Sequence, residues 1–242
     1  VFVGGWTPDA AQAVTGQRAG LLDSLADKGL IRRERTEHGI RRFTMLETLR
    51  EFGAALMETL GESGAVADAH LAYFADIAER AGVDLLLPGN APLHHEIAAE
   101  LDNFRAALQY AYRDPRHALA ECRIVAGIGF LMFRRGQHVE LLEISERALR
   151  HREVLPAKLL AGVLAMVGHA SHMHDMLKRA DEAQKEALEI YRRLGDKRNE
   201  ADMLRCVATR DPDSEAHIRM DMQALELATE VGDRFLIAAI NG

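Results

Sequence analysis

Little in this chain of 242 residues suggests covalent chemistry. It has two cysteines, Cys122 and Cys206, set in apolar helical surroundings with no Cys-x-x-Cys pair. That spacing speaks against a disulfide framework and a structural zinc, and the plain expectation is two reduced, buried thiols. No apolar run approaches the eighteen or so residues of a membrane span, and the start lacks the charged-then-apolar order of a signal peptide. A cytoplasmic chain without membrane contact is expected. Lys and Arg number 30 against 37 Asp and Glu, a net charge of -7. Such a balance argues against nucleic-acid binding by the whole chain, since phosphate neutralisation needs a basic face, yet it leaves a local patch open.

Catalytic motifs are missing too. No Gly-x-x-x-x-Gly-Lys-[Ser/Thr] occurs, so the chain by itself cannot bind a nucleotide in the P-loop manner. Neither Gly-x-Ser-x-Gly nor His-Glu-x-x-His is present, and Cys122 lies in no nucleophile motif. Paired acids such as Glu182 and Glu186 fall on the solvent side of amphipathic helices. An enzyme would have only such scattered acids behind it, so no catalytic residue and no cofactor are expected.

What is present is helical punctuation around one short hairpin. Thr7-Pro8-Asp9 is a helix start, with a hydroxyl cap, proline at the first position and an acid at the positive end of the dipole. That helix ends near Gly16. A second, from Arg18 to Gly29, places Leu21, Leu22 and Leu25 on one face. Leu30 to Glu34 and Ile40 to Met45 read as strands around the turn Thr36-Glu37-His38-Gly39. The second strand runs directly into a helix whose Leu46, Leu49, Phe52, Leu56 and Leu60 share a face. Two helices, a hairpin and a helix make a winged-helix-like domain over residues 1–62, with Leu46 expected in its core.

Five arginines mark the hairpin: Arg32, Arg33, Arg35, Arg41 and Arg42. Guanidinium forks suit phosphate oxygens of DNA or of a bound nucleotide. An edge strand guarded by charge against unwanted pairing gives the same pattern. Arg41 and Arg42 are expected to point away from the core, and a buried ion pair at either would count against a phosphate role.

From residue 63 onward only helices are legible, forming an arm over 63–242. Ala69 to Ala81 buries Leu71, Phe74, Ile77 and Ala78; after the loop Leu87-Pro88-Gly89-Asn90, one stripe carries Ile97, Leu101, Phe104, Leu108 and Ala111. Asp114-Pro115 opens a helix with Leu119, Cys122, Ala126, Phe130 and Phe133, ending at Gly136, and His138 to Arg150 is its partner. Ala148-Leu149, Ala187-Leu188 and Ala224-Leu225 then recur, the last two copies extending to a closing Gly-Asp at 195–196 and 232–233. The spacing approaches the tetratricopeptide period of about 34 residues, in which helical pairs bury their faces against neighbouring pairs. The turn glycine is missing near His174, and Thr209-Arg210-Asp211-Pro212-Asp213 interrupts the next pair early. His169, His172, His174 and Asp175 invite a metal reading, but helical geometry separates His174 from the other two histidines, and a polar helix end is the expectation. His70 and His117 are single helical histidines.

Three stretches resemble bacterial STAND regulators, signal-transduction ATPases that include LuxR-like and SARP-like transcription factors. Val1-Phe2-Val3-Gly4-Gly5-Trp6-Thr7 with Ala10-Ala11 resembles the start of their winged helix. Arg42 to Phe52 resembles its last strand and helix, and Glu100-Leu101-Asp102-Asn103-Phe104-Arg105-Ala106-Ala107-Leu108 the helix that begins the arm. Related NB-ARC switches carry a Met-His-Asp triad whose histidine senses the nucleotide phosphate, and Met45-Leu46-Glu47 is its counterpart by position. Leu46 cannot donate a hydrogen bond. The resemblance implies a winged helix docked on a nucleotide-binding domain elsewhere in a longer parent chain, and an arm that receives an inducer or a partner protein. The opening on Val1 and the stop at Asn241-Gly242 in mid pattern fit an excerpt. The alternative is a DNA-binding winged helix with an oligomerising arm.

Overall fold

The computed structural model describes residues 1–17, 19–36, 39–84, 90–210 and 214–241, excepting the side chains of 19, 83 and 84. The tip of the expected hairpin turn at 37–38, the loop at 87–89 and the break at 211–213 lie outside the described residues. The fold is mainly α: two helices and a small antiparallel hairpin, then a helical stack. Two compact units divide the chain, one of residues 1–77 with 92–124 and one of 78–91 with 125–242.

In the first unit, α1 (Pro8–Thr15) starts as its sequence dictates. Thr7 Oγ1 accepts from the Ala10 amide at 3.1 Å, Pro8 fills the first turn, and Gly16 closes the helix in the left-handed region. Helix α2 (Ala19–Asp27) buries Leu22 and leaves Leu21 exposed. Strands β1 (Arg32–Arg35) and β2 (Arg41–Thr44) pair antiparallel with Arg32 opposite Thr44. Trp6 exchanges both backbone hydrogen bonds with Phe43, at 2.9 and 2.8 Å, so the opening segment lies along β2 as a third line of chain. Helices α3 (Glu47–Thr59), α4 (Ser63–Asp84), α5 (Ala91–Ala98) and α6 (Leu101–Ala111) follow. Phe2, Trp6, Phe43, Leu71, Phe74 and Phe104 form the core. His70 is buried among them, its ring 4.6 Å from that of Phe74.

The stripe expected as one helix from Ile97 to Ala111 is broken into α5 and α6 at Ala99-Glu100. All five of its apolar residues are buried, as the pattern requires. The break frees the Ala99 carbonyl to accept from Arg42 Nη2 at 3.3 Å.

Helix α7 (Ala118–Arg134) follows a 3₁₀ turn capped by Asp114, whose carboxylate accepts from the Arg116 amide. It contributes to the first unit through Ile124 and to the second from Val125. Its buried set includes Ile124, Val125, Ile128, Leu131 and Met132, whereas Leu119 is exposed; the single face expected for it understates how far it is enclosed. A side chain at Gly127 would clash with the Ala78 carbonyl oxygen, so α4 and α7 meet backbone to backbone there.

The second unit continues with α8 (His138–Ala148), α9 (Ala157–Met173), α10 (Leu177–Leu194), α11 (Lys197–Ala208), α12 (Ser214–Glu230) and α13 (Arg234–Asn241). Neighbours pack in sequence, α9 on α10, α10 on α11 and α11 on α12. The recurring small residues Ala148, Ala187 and Ala224 are fully buried, which lets paired helices approach closely. The repeated Gly-Asp is a turn device. Gly195 ends α10 in the left-handed region and Asp196 caps α11 by accepting from the Asn199 amide; Asp233 likewise accepts from the Phe235 and Leu236 amides at 3.0 Å. Where the turn glycine is missing, Asp175 takes the left-handed conformation instead, at φ 57°.

Candidate functional site

Two places collect polar chemistry, one in each unit. In the first, β2 is covered on both sides, because Phe43 faces the aromatic core while Arg42 is buried on the opposite side. Arg42 Nη1 donates to Glu100 Oε1 at the α5–α6 turn. Glu100 Oε2 accepts from Asn103 Nδ2 at 2.6 Å, and that amide also donates to the Gly5 carbonyl at 2.8 Å. Asn103 Oδ1 accepts from the Val3 amide at 2.7 Å. Three residues thus tie the opening segment, the hairpin and α6 together with their polar atoms paired.

This corrects the expectation that Arg42 points away from the core. The reason lies in the α5–α6 turn, whose carboxylate and freed carbonyl give the guanidinium a buried home. Arg33 donates to Asp23 and Asp27, and Arg41 pairs with Asp23 while its guanidinium lies 4.9 Å over the Phe43 ring. Asp23, Arg33, Glu34, Arg35 and Arg41 line an open cleft of about 440 Å³. A phosphate entering it would have to displace Asp23. Arg32 and Arg35 are exposed on β1. The five arginines therefore do not converge on one anion site: three are held by carboxylates of α2 and the α5–α6 turn.

Met45-Leu46-Glu47 sits at the mouth of α3. Met45 is half-buried, Leu46 is the helix cap position with extended backbone and no capping side chain, and Glu47 opens the first turn. Glu47 Oε2 accepts from Arg50 Nε at 2.8 Å, which holds its carboxyl below the usual range. Leu46 is 51% exposed, contrary to its expected place in the core. Its neighbours on the apolar stripe share that fate: Phe52 is 68% exposed, Leu60 61%, and no residue of α3 is buried. Of the expected stripe only Leu49 is half-buried; Leu46, Phe52, Leu56 and Leu60 are all exposed.

In the second unit, His169 on α9 is buried, yet it does not meet His172 or His174, which are both exposed beyond it. It faces α11 instead. His169 Nδ1 lies 4.0 Å from Cys206 Sγ, and His169 Nε2 lies 3.3 Å from Asp202 Oδ2 as an ion pair rather than an aligned hydrogen bond. Arg205 Nη2 donates to Cys206 Sγ at 3.3 Å and to Asp202 Oδ1 at 3.0 Å. The Phe133 ring of α7 covers the imidazole, 5.3 Å away. Burial by itself would lower the His169 pKa, but the Cys206 sulfur and the Asp202 carboxylate override it and raise it above the usual histidine range. Burial would likewise raise Asp202, and His169 and Arg205 hold it below the usual carboxylate range instead. Among the described residues, His169, Asp202 and Cys206 form the one group with metal-ligand chemistry. One ligand atom from each of the three lies within 4.8 Å of the other two.

Sequence reasoning singled out His169 and, separately, Cys206 as a reduced, buried thiol, which it is, but not their meeting, and it missed Asp202 and Arg205. The signal was there: His169 and Cys206 are 37 residues apart, the same offset that relates Leu188 to Leu225. Equivalent positions of successive repeats meet across the stack.

No family model matches this chain, and no curated protein matches it. Among the described residues, no helix is long and apolar enough to cross a membrane.

Proposed function

We propose that this chain is a regulatory, non-catalytic part of a STAND-type signalling ATPase and transcriptional regulator. The helical arm of residues 63–242 receives an inducer or a partner protein, and the winged helix passes that event to a nucleotide-binding domain elsewhere in the parent chain. One observation carries this reading: α3 offers Leu46, Phe52, Leu56 and Leu60 to solvent in a single stripe, beginning at the Met45-Leu46-Glu47 counterpart of the nucleotide-sensing triad. A stripe of that size left bare on a folded domain marks a contact surface. Coupling then needs two states of the docked module that the arm's ligand binds unequally.

The DNA-binding alternative is not favoured by the geometry, since Arg33, Arg41 and Arg42 are already paired with carboxylates. The test is made in the full polypeptide encoded by the parent gene. It should contain a Gly-x-x-x-x-Gly-Lys-[Ser/Thr] loop, and Phe52→Asp with Leu56→Asp should raise its inducer-independent nucleotide turnover severalfold by loosening the docked module. A parent chain without that loop, or turnover indifferent to both substitutions, would overturn the proposal.

A further inference from the structure

The group joining α9 and α11 is more than a buried ion pair. An imidazole stands between a thiol and a carboxylate and uses a different nitrogen for each, at 4.0 Å on the Cys206 side and 3.3 Å on the Asp202 side. That is the order of a proton relay: the carboxylate fixes the ring, and the ring takes the proton of the nucleophile. A guanidinium completes it, with Arg205 Nη2 donating to the sulfur at 3.3 Å. Arg210, in the turn after α11 and donating to Gln184 Oε1, adds a second cation whose charge is felt at Cys206. Cations around a sulfur favour its thiolate. Asp202 is the facing carboxylate that opposes this, and it is engaged by His169 and Arg205.

We propose that Cys206 is a reactive nucleophile, faced by the His169 imidazole and the Arg205 guanidinium, and that its substrate is a small hydroperoxide. The size limit follows from exposure: at 6% relative accessibility, Cys206 meets only reagents close to water in size. The chemical class follows from the charges, because an oxygen leaving as an anion is met by a guanidinium and a proton donor.

In the step itself, the Cys206 sulfur attacks one oxygen of the hydroperoxide, and an S–O bond forms as the O–O bond breaks. The oxygen attacked is the one bearing hydrogen; sulfur gives up two electrons and the other oxygen gains them, leaving as hydroxide from hydrogen peroxide or as alkoxide from an alkyl hydroperoxide. The proton that had passed from Cys206 to His169 Nδ1 is delivered to that anion, giving water or the corresponding alcohol. The products are a Cys206 sulfenic acid and a neutral His169. This chemistry is local to the arm and does not depend on how α3 is used.

Cys122, the other free cysteine, is more deeply buried and serves only as a reference, so the deciding comparison is Cys206 in the parent against Cys206 in the variants. The experiment treats the reduced 242-residue chain with hydrogen peroxide at pH 7, traps sulfenic acid with dimedone and maps the adduct by peptide mass spectrometry. A thiol flanked by a base that can take its proton and by a guanidinium should react at least about tenfold faster than one without them. The expected result is adduct at Cys206, with His169→Gln slowing its formation about tenfold. Should His169→Gln fail to fold, Arg205→Gln should still slow the reaction severalfold, since it removes the cation that donates to the sulfur. Equal labelling of the two cysteines, a folded His169→Gln that reacts as fast as the parent, or one equivalent of zinc bound to the native chain and shielding Cys206 would each overturn the proposal.

Discussion

Arg42 and Glu100, 58 residues apart, meet as a buried ion pair with both side chains about 10% exposed. The pair joins the second strand of the hairpin to the turn between α5 and α6. Its remaining polar atoms are occupied by Asn103 and the Ala99 carbonyl, the condition under which a buried pair is tolerated at all. Glu100→Ala leaves a guanidinium buried without its carboxylate and should destabilise the chain by about 3 to 5 kcal/mol. Urea unfolding followed by far-UV circular dichroism checks this. The double change Arg42→Leu with Glu100→Leu should cost clearly less than Glu100→Ala, because no charge is stranded.

His70 gives the first unit an acid limit. Burial among Phe2, Phe74 and their neighbours lowers its pKa from 6.5 to about 4. The fold therefore prefers the neutral ring. Above pH 6.5 both folded and unfolded chains hold it neutral and the group has no effect on stability. As pH falls from 6.5 towards 4, the unfolded chain takes up a proton that the folded chain refuses, and stability drops by roughly 1.4 kcal/mol per pH unit. Below about 4 this contribution levels off. Denaturation midpoints measured from pH 7 to 4 should show the fall, and His70→Phe should flatten it.

Leu46 has extended backbone at the cap of α3 and no side chain bonded to the open amides of the first turn. Leu46→Asp supplies an acceptor there and places a negative charge at the positive end of the helix dipole. The isolated chain should gain about 0.5 to 1 kcal/mol, a rise in melting temperature rather than the loss expected of a core leucine. Thermal unfolding decides the sign.

Asp175 holds a left-handed conformation that glycine adopts without strain. Asp175→Gly should stabilise the α9–α10 turn by about 0.5 to 1 kcal/mol, after the greater freedom of glycine in the unfolded chain is deducted. The opposite change at the equivalent turn, Gly195→Val, should destabilise by about 1 to 2 kcal/mol. Denaturant midpoints of the two variants should move in opposite directions.

Much of the fold could be read from local rules. The Thr7-Pro8 cap, the left-handed stops and the alanines of the repeat each have a cause within a few residues, and the structure has each of them in place. Legibility failed where the cause lay far off in sequence. Arg42 reads as a surface cation beside four other arginines until Glu100 is brought to it from the α5–α6 turn. Leu46, Phe52 and Leu60 form an apolar stripe, but periodicity says which side is oily and not whether anything sits against it. His169 reads as part of a histidine cluster on its own helix, whereas its partners lie one repeat away, at an offset that the repeat spacing already contained.

Hydrogen exchange along α3 tests the account most directly. Amide exchange over Glu47–Thr59 would be followed in the 242-residue chain and in the full polypeptide of the parent gene. Docking of a nucleotide-binding domain on Leu46, Phe52, Leu56 and Leu60 predicts that the helix is slowed roughly tenfold or more in the longer protein, and that the protection depends on bound nucleotide. Exchange that is equally fast in both proteins would contradict a regulatory role for this face.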